Sequence, residues 1–212
     1  NGINRIVMAG AISRPQLEQS KMDNYTQSII SLLNAKLVQG DNELLSFIAG
    51  EFEQKGYEIV GASEILPDLT LKPEFVCGIP YRSIQRDVEK ADKVLKLLSS
   101  EDIGQGIVVE NGLVLGIETL QGTNELLKFV KKTSVHLRIA ETGGVFVKRP
   151  KFNQNLQFDM PVIGPETINL ACDAGLRGLV VSPLSVIVLD QKKCLQIAKA
   201  NNFFILAKDS TS

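Results

Sequence analysis

The stretch from 83 to 118 constrains the fold more than any other. SIQRDVEKADKVLKLLSS places Ile84, Val88, Ala91, Val94, Leu95 and Leu98 at helical spacing, and GIVVENGLVLGIE follows it with Asn111-Gly112 between two apolar runs. The first reads as an amphipathic helix and the second as a tight hairpin. A helix with one apolar face beside a hairpin points to mixed α/β packing, in which the helix covers a sheet. The text beyond continues the pattern: helix NELLKFVKK, strands GVFVK and PVIG, helix ETINLACDAG, strands LRGLVV and SVIVL, helix QKKCLQIAKA and strand FFILA.

The opening third reads as a separate α/β unit. INRIVMAG has the apolar run of a buried parallel strand, with Ile3, Ile6, Val7 and Met8, and NYTQSIISLLNAKL suits a helix. Asp41 is placed as the N-cap of the next helix and Gly56 as its closing glycine, after which YEIVGA reads as a strand. The three prolines of LPDLTLKPEFVCGIP mark a linker. The predicted fold class is therefore α/β in two domains: a partial Rossmann-like unit over residues 1–75 and a mixed α/β domain over residues 76–212, with a ligand cleft between them. A chain that opens directly on a strand, without an initiator Met, predicts an N-terminal unit truncated at its start.

Charge and cysteine usage narrow the function. The 23 Lys+Arg and 24 Asp+Glu residues leave a net charge of -1 with no basic block, which argues against a nucleic-acid partner. Three widely spaced cysteines make no disulfide framework and favour the cytoplasm. The most apolar stretch, LRGLVVSPLSVIVLD, is too interrupted and too short for a spanning helix. With His136 the single histidine, a His-rich metal cluster cannot be assembled, and no Walker A loop or G-x-G-x-x-G motif occurs.

Oxygen ligands remain, and three loops concentrate them. EDIGQG sets Asp102 and Gln105 around Gly104 and Gly106. ETLQGTNE offers Gly122, Thr123 and Asn124 at the start of a helix, whose unpaired N–H groups attract anions. The same residues also read as a plain helix cap, which by pattern alone accounts for them without a ligand. FDMPVIGPET places Asp159 before an apolar run and Gly164-Pro165 at a helix start, with Lys148 and Arg149 nearby in sequence. Asp159 by itself is as compatible with a paired surface carboxylate as with catalysis.

Taken in order, VMAGAISRP, GDNELL, GYEIVGASEIL, EDIGQGIVVENGLVLGIETLQGTNELL and FDMPVIGPETINLACDAGLRGLVV resemble the LpxI family of UDP-2,3-diacylglucosamine pyrophosphatases of Gram-negative bacteria. The resemblance implies a cytoplasmic, Mg²⁺-dependent hydrolase of lipid A biosynthesis. It would convert UDP-2,3-diacylglucosamine to UMP and 2,3-diacylglucosamine 1-phosphate (lipid X), in weak peripheral association with the inner membrane. It implies Asp159 as the catalytic residue. Metal ligation is then expected from Asp159 with Asp102 or Glu118, and substrate contacts from Gln105, Gly122, Thr123, Asn124, Lys148, Gly164 and Thr167. Where the family pattern reads E-G-T-D, this chain has Gln121-Gly122-Thr123-Asn124, which exchanges two carboxylates for amides. That exchange motivates the alternative of a non-catalytic lipid- or nucleotide-binding relative.

Overall fold

The computed structural model describes residues 2–10, 21–37, 41–133, 135–138 and 143–210. They form two compact units, Asn1–Leu66 with Asn155–Asp159, and Pro67–Gln154 with Met160–Ser212.

In the first unit, strand β1 (Arg5–Ile6) pairs in parallel with β2 (Glu58–Ile59). Helices α1 (Asn24–Leu37) and α2 (Asp41–Glu53) lie between them in the chain, and the short α3 (Ala62–Ile65) follows. The parallel crossover and both main helices match the periodicity of the sequence. The burial predicted for the first strand does not: Ile3 and Val7 are exposed and lie outside the two paired residues of β1. Gly56 has φ +84, the left-handed backbone that a helix-closing glycine supplies without a Cβ penalty.

The second unit is a three-layer sandwich. Its sheet runs in the order β3 (Val76–Cys77), β10 (Phe204–Ala207), β8 (Gly178–Val181), β6 (Val145–Lys148), β4 (Gly106–Glu110), β5 (Leu113–Ile117). Strands β6, β8 and β10 are parallel, whereas β3, β4 and β5 are antiparallel to their neighbours. Period-two alternation sorts the strand residues. Val108, Phe146, Leu179 and Ile205 pack with α5 (Gly122–Lys131), α6 (Pro165–Asp173) and α7 (Gln191–Ala200). Ile107, Val147, Val180 and Phe204 pack with α4 (Ile84–Ser99) on the other face.

Two local readings change. The segment predicted as a linker donates β3 to the sheet edge and Leu71 to the core, with Pro67 opening a 3₁₀ turn, Pro73 in a turn and Pro80 in irregular backbone around a real strand. PVIG and SVIVL form β7 (Val162–Ile163) and β9 (Ile187–Val188), which pair with each other outside the main sheet. The Asn111-Gly112 hairpin is as expected, with φ of 50 and 80 at the two turn residues. No described helix is long and apolar enough to cross a membrane.

Candidate active site

The chemistry-bearing residues of the second unit collect where parallel strands β6, β8 and β10 end. Antiparallel pairing of β4 with β6 sets Gly106 opposite Lys148, so EDIGQG reaches the same edge as Lys148 and Arg149. The Arg149 amide donates to the Gln105 carbonyl at 2.8 Å, continuing the ladder by one residue and fixing Gln105 there by its backbone.

Lys148 is buried at this edge. Its ammonium donates to Glu118 Oε2 at 2.6 Å and to Thr123 Oγ1 at 2.9 Å, and the Thr123 hydroxyl donates to Glu118 Oε1 at 3.0 Å. The Lys148 side chain is 2% exposed and that of Glu118 11%. Thr123 and Asn124 occupy the first turn of α5 and are half-buried. Gly122 has φ +82, and a Cβ added there would meet nothing within 4 Å. The predicted substrate residues of this loop are thus brought together, with Lys148 behind them.

The glycines of EDIGQG have a local purpose. Gly104 has φ +70, and a Cβ on it would lie 2.6 Å from the Glu118 carbonyl oxygen. One on Gly106 would lie 2.5 Å from Glu118 Oε2 and 2.8 Å from the Phe146 ring. Both missing side chains make room for Glu118. Asp102, at the start of this loop, faces Lys151 with Nζ to Oδ1 at 2.7 Å and stays half-exposed.

A cavity of about 540 Å³ opens beside this edge, lined by Asp92, Lys96, Arg149, Lys151, Ser182 and Ser210 among others. The size suits a small ligand or part of a larger one. Arg149 forms its buried floor: Nε donates to Asp92 Oδ1 at 3.0 Å, and Nη1 donates to Ser182 Oγ at 3.3 Å and to the Lys208 carbonyl. Asp92 escaped the sequence reading, although a signal was there. It lies four residues after Val88 and three before Leu95, on the apolar stripe of α4.

Gly164 and Thr167 form the amino-terminal cap of α6. The Gly164 amide donates to Thr167 Oγ1 at 3.3 Å, Pro165 takes the first helical position, and Thr167 is buried. His136 is exposed in a short 3₁₀ turn, Val135–Leu137.

Asp159 belongs to the first unit. The segment 155–159 is tied there by Gln157 Nε2, which donates to the Ile59 carbonyl of β2 at 3.3 Å. The Asp159 amide closes a turn on the Asn155 carbonyl at 2.9 Å, and its side chain is half-buried. Among the described residues, no group of three or more His, Cys, Asp or Glu side chains gathers as a metal cage.

Comparison with known proteins adds identity to this geometry. The family model described as the LpxI N-terminal domain matches residues 1–69, and that of the LpxI C-terminal domain matches residues 76–206. A curated relative from Caulobacter vibrioides, UDP-2,3-diacylglucosamine pyrophosphatase LpxI, is 33% identical over 211 residues, covering 98% of this chain and 75% of its own. The chain belongs to the LpxI family.

Proposed function

We propose that the chain hydrolyses the pyrophosphate of UDP-2,3-diacylglucosamine to UMP and 2,3-diacylglucosamine 1-phosphate, a step of lipid A biosynthesis. The observation that carries this reading is the match of both family domains, together with 33% identity to a relative that bears that activity as its name. The second unit supports it with an edge that suits phosphate chemistry. Buried and half-buried cations, hydroxyls and the amino terminus of a helix lie close together there, and no nucleophile–histidine pair is needed.

In the proposed reaction, water adds its oxygen to the phosphorus on the sugar side and the bridging P–O bond breaks. UMP leaves with the bridging oxygen. Asp159 is proposed to orient that water, and is the residue that would hold a metal there. Gln105, Gly122, Thr123, Asn124, Gly164 and Thr167 are proposed to line the path of the substrate, and Lys148 to serve its binding from behind Thr123.

Mg²⁺ is proposed as the cofactor. It accepts oxygen donors, takes few protein ligands and keeps waters and substrate phosphates around itself. The carboxylates here fit an ion of that kind, arriving with the pyrophosphate, better than a metal held by protein alone: Asp102 and Glu118 each face a lysine. Asp159 is proposed as the main ligand, with Asp102 as its second. The ion would neutralise phosphate charge and orient water.

We place the enzyme in the cytoplasm, meeting its lipid at the inner membrane through the substrate itself. Weak flotation with liposomes lacking substrate is the expected result. A second reading, binding without turnover, is favoured by Gln121 and Asn124, amides at the turn that precedes and opens α5. Hydrolysis of the lipid in ¹⁸O water separates the two. The enzyme reading requires UMP release, with label in the sugar phosphate and not in UMP. Substrate binding without any UMP would establish the second reading.

A further inference from the structure

Glu118, Lys148 and Thr123 close a triangle of three hydrogen bonds at 2.6, 2.9 and 3.0 Å. Two of its corners are charges largely removed from water, an arrangement that costs desolvation and that apolar residues of similar volume often replace without loss of stability. Stability alone therefore does not account for it. The surrounding chain is also shaped to admit it, since side chains at Gly104 or Gly106 would run into Glu118. The third corner is different. Thr123 is half-exposed in the first turn of α5, beside Gly122, whose missing side chain leaves open space.

We infer that Lys148 and Glu118 are positioning residues, which fix Thr123 and the first turn of α5 where a substrate phosphate is bound, and that Glu118 is not a ligand of the metal. The inference rests on the hydrolase reading above. The Thr123 hydroxyl proton is committed to Glu118 and its oxygen accepts from Lys148, and the Gly122 amide donates to the Thr119 carbonyl at 2.9 Å, so what this turn offers a phosphate is the backbone N–H groups that follow Gly122. A turn fixed before the substrate arrives needs no reorganisation during the reaction.

The test uses the whole chain and five proteins: wild type, Lys148→Met, the double variant Glu118→Gln with Lys148→Met, Thr123→Val and Thr123→Ser. Tm, kcat and KM for UMP release, the Mg²⁺ half-saturation and affinity for UDP-2,3-diacylglucosamine are read on each. Lys148→Met leaves a buried carboxylate uncompensated and should lower Tm, whereas the double variant removes both charges and should recover it to within about 3 °C. Its kcat should still be down by about tenfold or more, with the Mg²⁺ half-saturation within about twofold of wild type. Thr123→Val should lose activity by a similar factor, and Thr123→Ser, which keeps the hydroxyl, should restore most of it.

A double variant with wild-type Tm and wild-type kcat would make the triangle purely structural and overturn the inference. So would a half-saturation raised about tenfold with kcat recovered at high Mg²⁺, the mark of a lost metal ligand. If the double variant does not fold, the Thr123 pair decides, and equal activity of Val and Ser contradicts the inference. A wild type that binds the substrate without releasing UMP sinks the hydrolase reading instead. The triangle is then judged on affinity, which Thr123→Val should weaken and Thr123→Ser preserve.

Discussion

The Arg149 guanidinium meets the Asp92 carboxylate in a buried pair, with Nε to Oδ1 at 3.0 Å and Nη2 to Oδ2 at 3.4 Å, and so fastens α4 to the end of β6. The same guanidinium holds Ser182 after β8 and the Lys208 carbonyl after β10. One side chain thus ties the ends of three parallel strands to the helix on one face. Arg149→Met leaves Asp92 buried without its counter-ion and should cost about 3–5 kcal/mol in urea denaturation. Arg149→Lys should also be destabilising, because one ammonium cannot reproduce the planar fork that reaches all three partners. Adding Asp92→Leu to Arg149→Met should recover much of the loss.

Two glycines of the site should each lose stability on gaining a methyl group, for different reasons. At Gly106 a Cβ would fall 2.5 Å from Glu118 Oε2 and 2.8 Å from the Phe146 ring, so Gly106→Ala should displace Glu118 and cost about 1–3 kcal/mol along with activity. At Gly122 the space is open, and the cost of Gly122→Ala is that of its φ of +82, about 1 kcal/mol. A fall in activity at Gly122 far beyond the fall in stability would mean that a ligand occupies that space. Thermal melts and UMP release on the two variants check both statements.

The hairpin turn of β4 and β5 is held from α4. Asp87 accepts from the Tyr81 hydroxyl at 2.7 Å and from the amides of Asn111 and Gly112 at 3.1 and 2.6 Å. Burial, and then the Asp87 carboxylate, push the Tyr81 phenol well above its ordinary value of 10.0. The neutral phenol is favoured in the folded state, so its contribution to stability is complete below pH 10.0 and is lost as pH rises beyond it. Tyr81→Phe should lower stability by about 1.5–3 kcal/mol at neutral pH and flatten the alkaline fall. Urea midpoints between neutral pH and pH 11 measure this, and a parallel fall in both proteins would contradict it.

The helices and the main strands were legible because each has a clear period and its own punctuation, as α4 and the Asn111-Gly112 turn show. Family membership was legible from a chain of motifs that no single loop carries. Partnership was harder to read. Lys148 lies 25 residues beyond Thr123, and the two meet through the register of β4 on β6, which sets Lys148 opposite Gly106. β3 was hidden because two residues among prolines have no period to detect, and its place is decided by the edge of β10. The attachment of 155–159 to the first unit, where the Gln157 side-chain amide reaches the Ile59 carbonyl, leaves no trace in hydrophobic pattern. Asp92 and Asp87 were readable in principle, as charges on the apolar stripe of an amphipathic helix call for buried partners.

The most direct measurement is the rate of UMP release from UDP-2,3-diacylglucosamine by the wild type and by Asp159→Asn, each with saturating Mg²⁺ and with the metal chelated. The expected result is Mg²⁺-dependent release by the wild type and a loss of about a hundredfold or more in the variant, equivalent to about 2.7 kcal/mol of transition-state stabilisation. Unchanged turnover by a folded Asp159→Asn, or equal rates with and without metal, would contradict it.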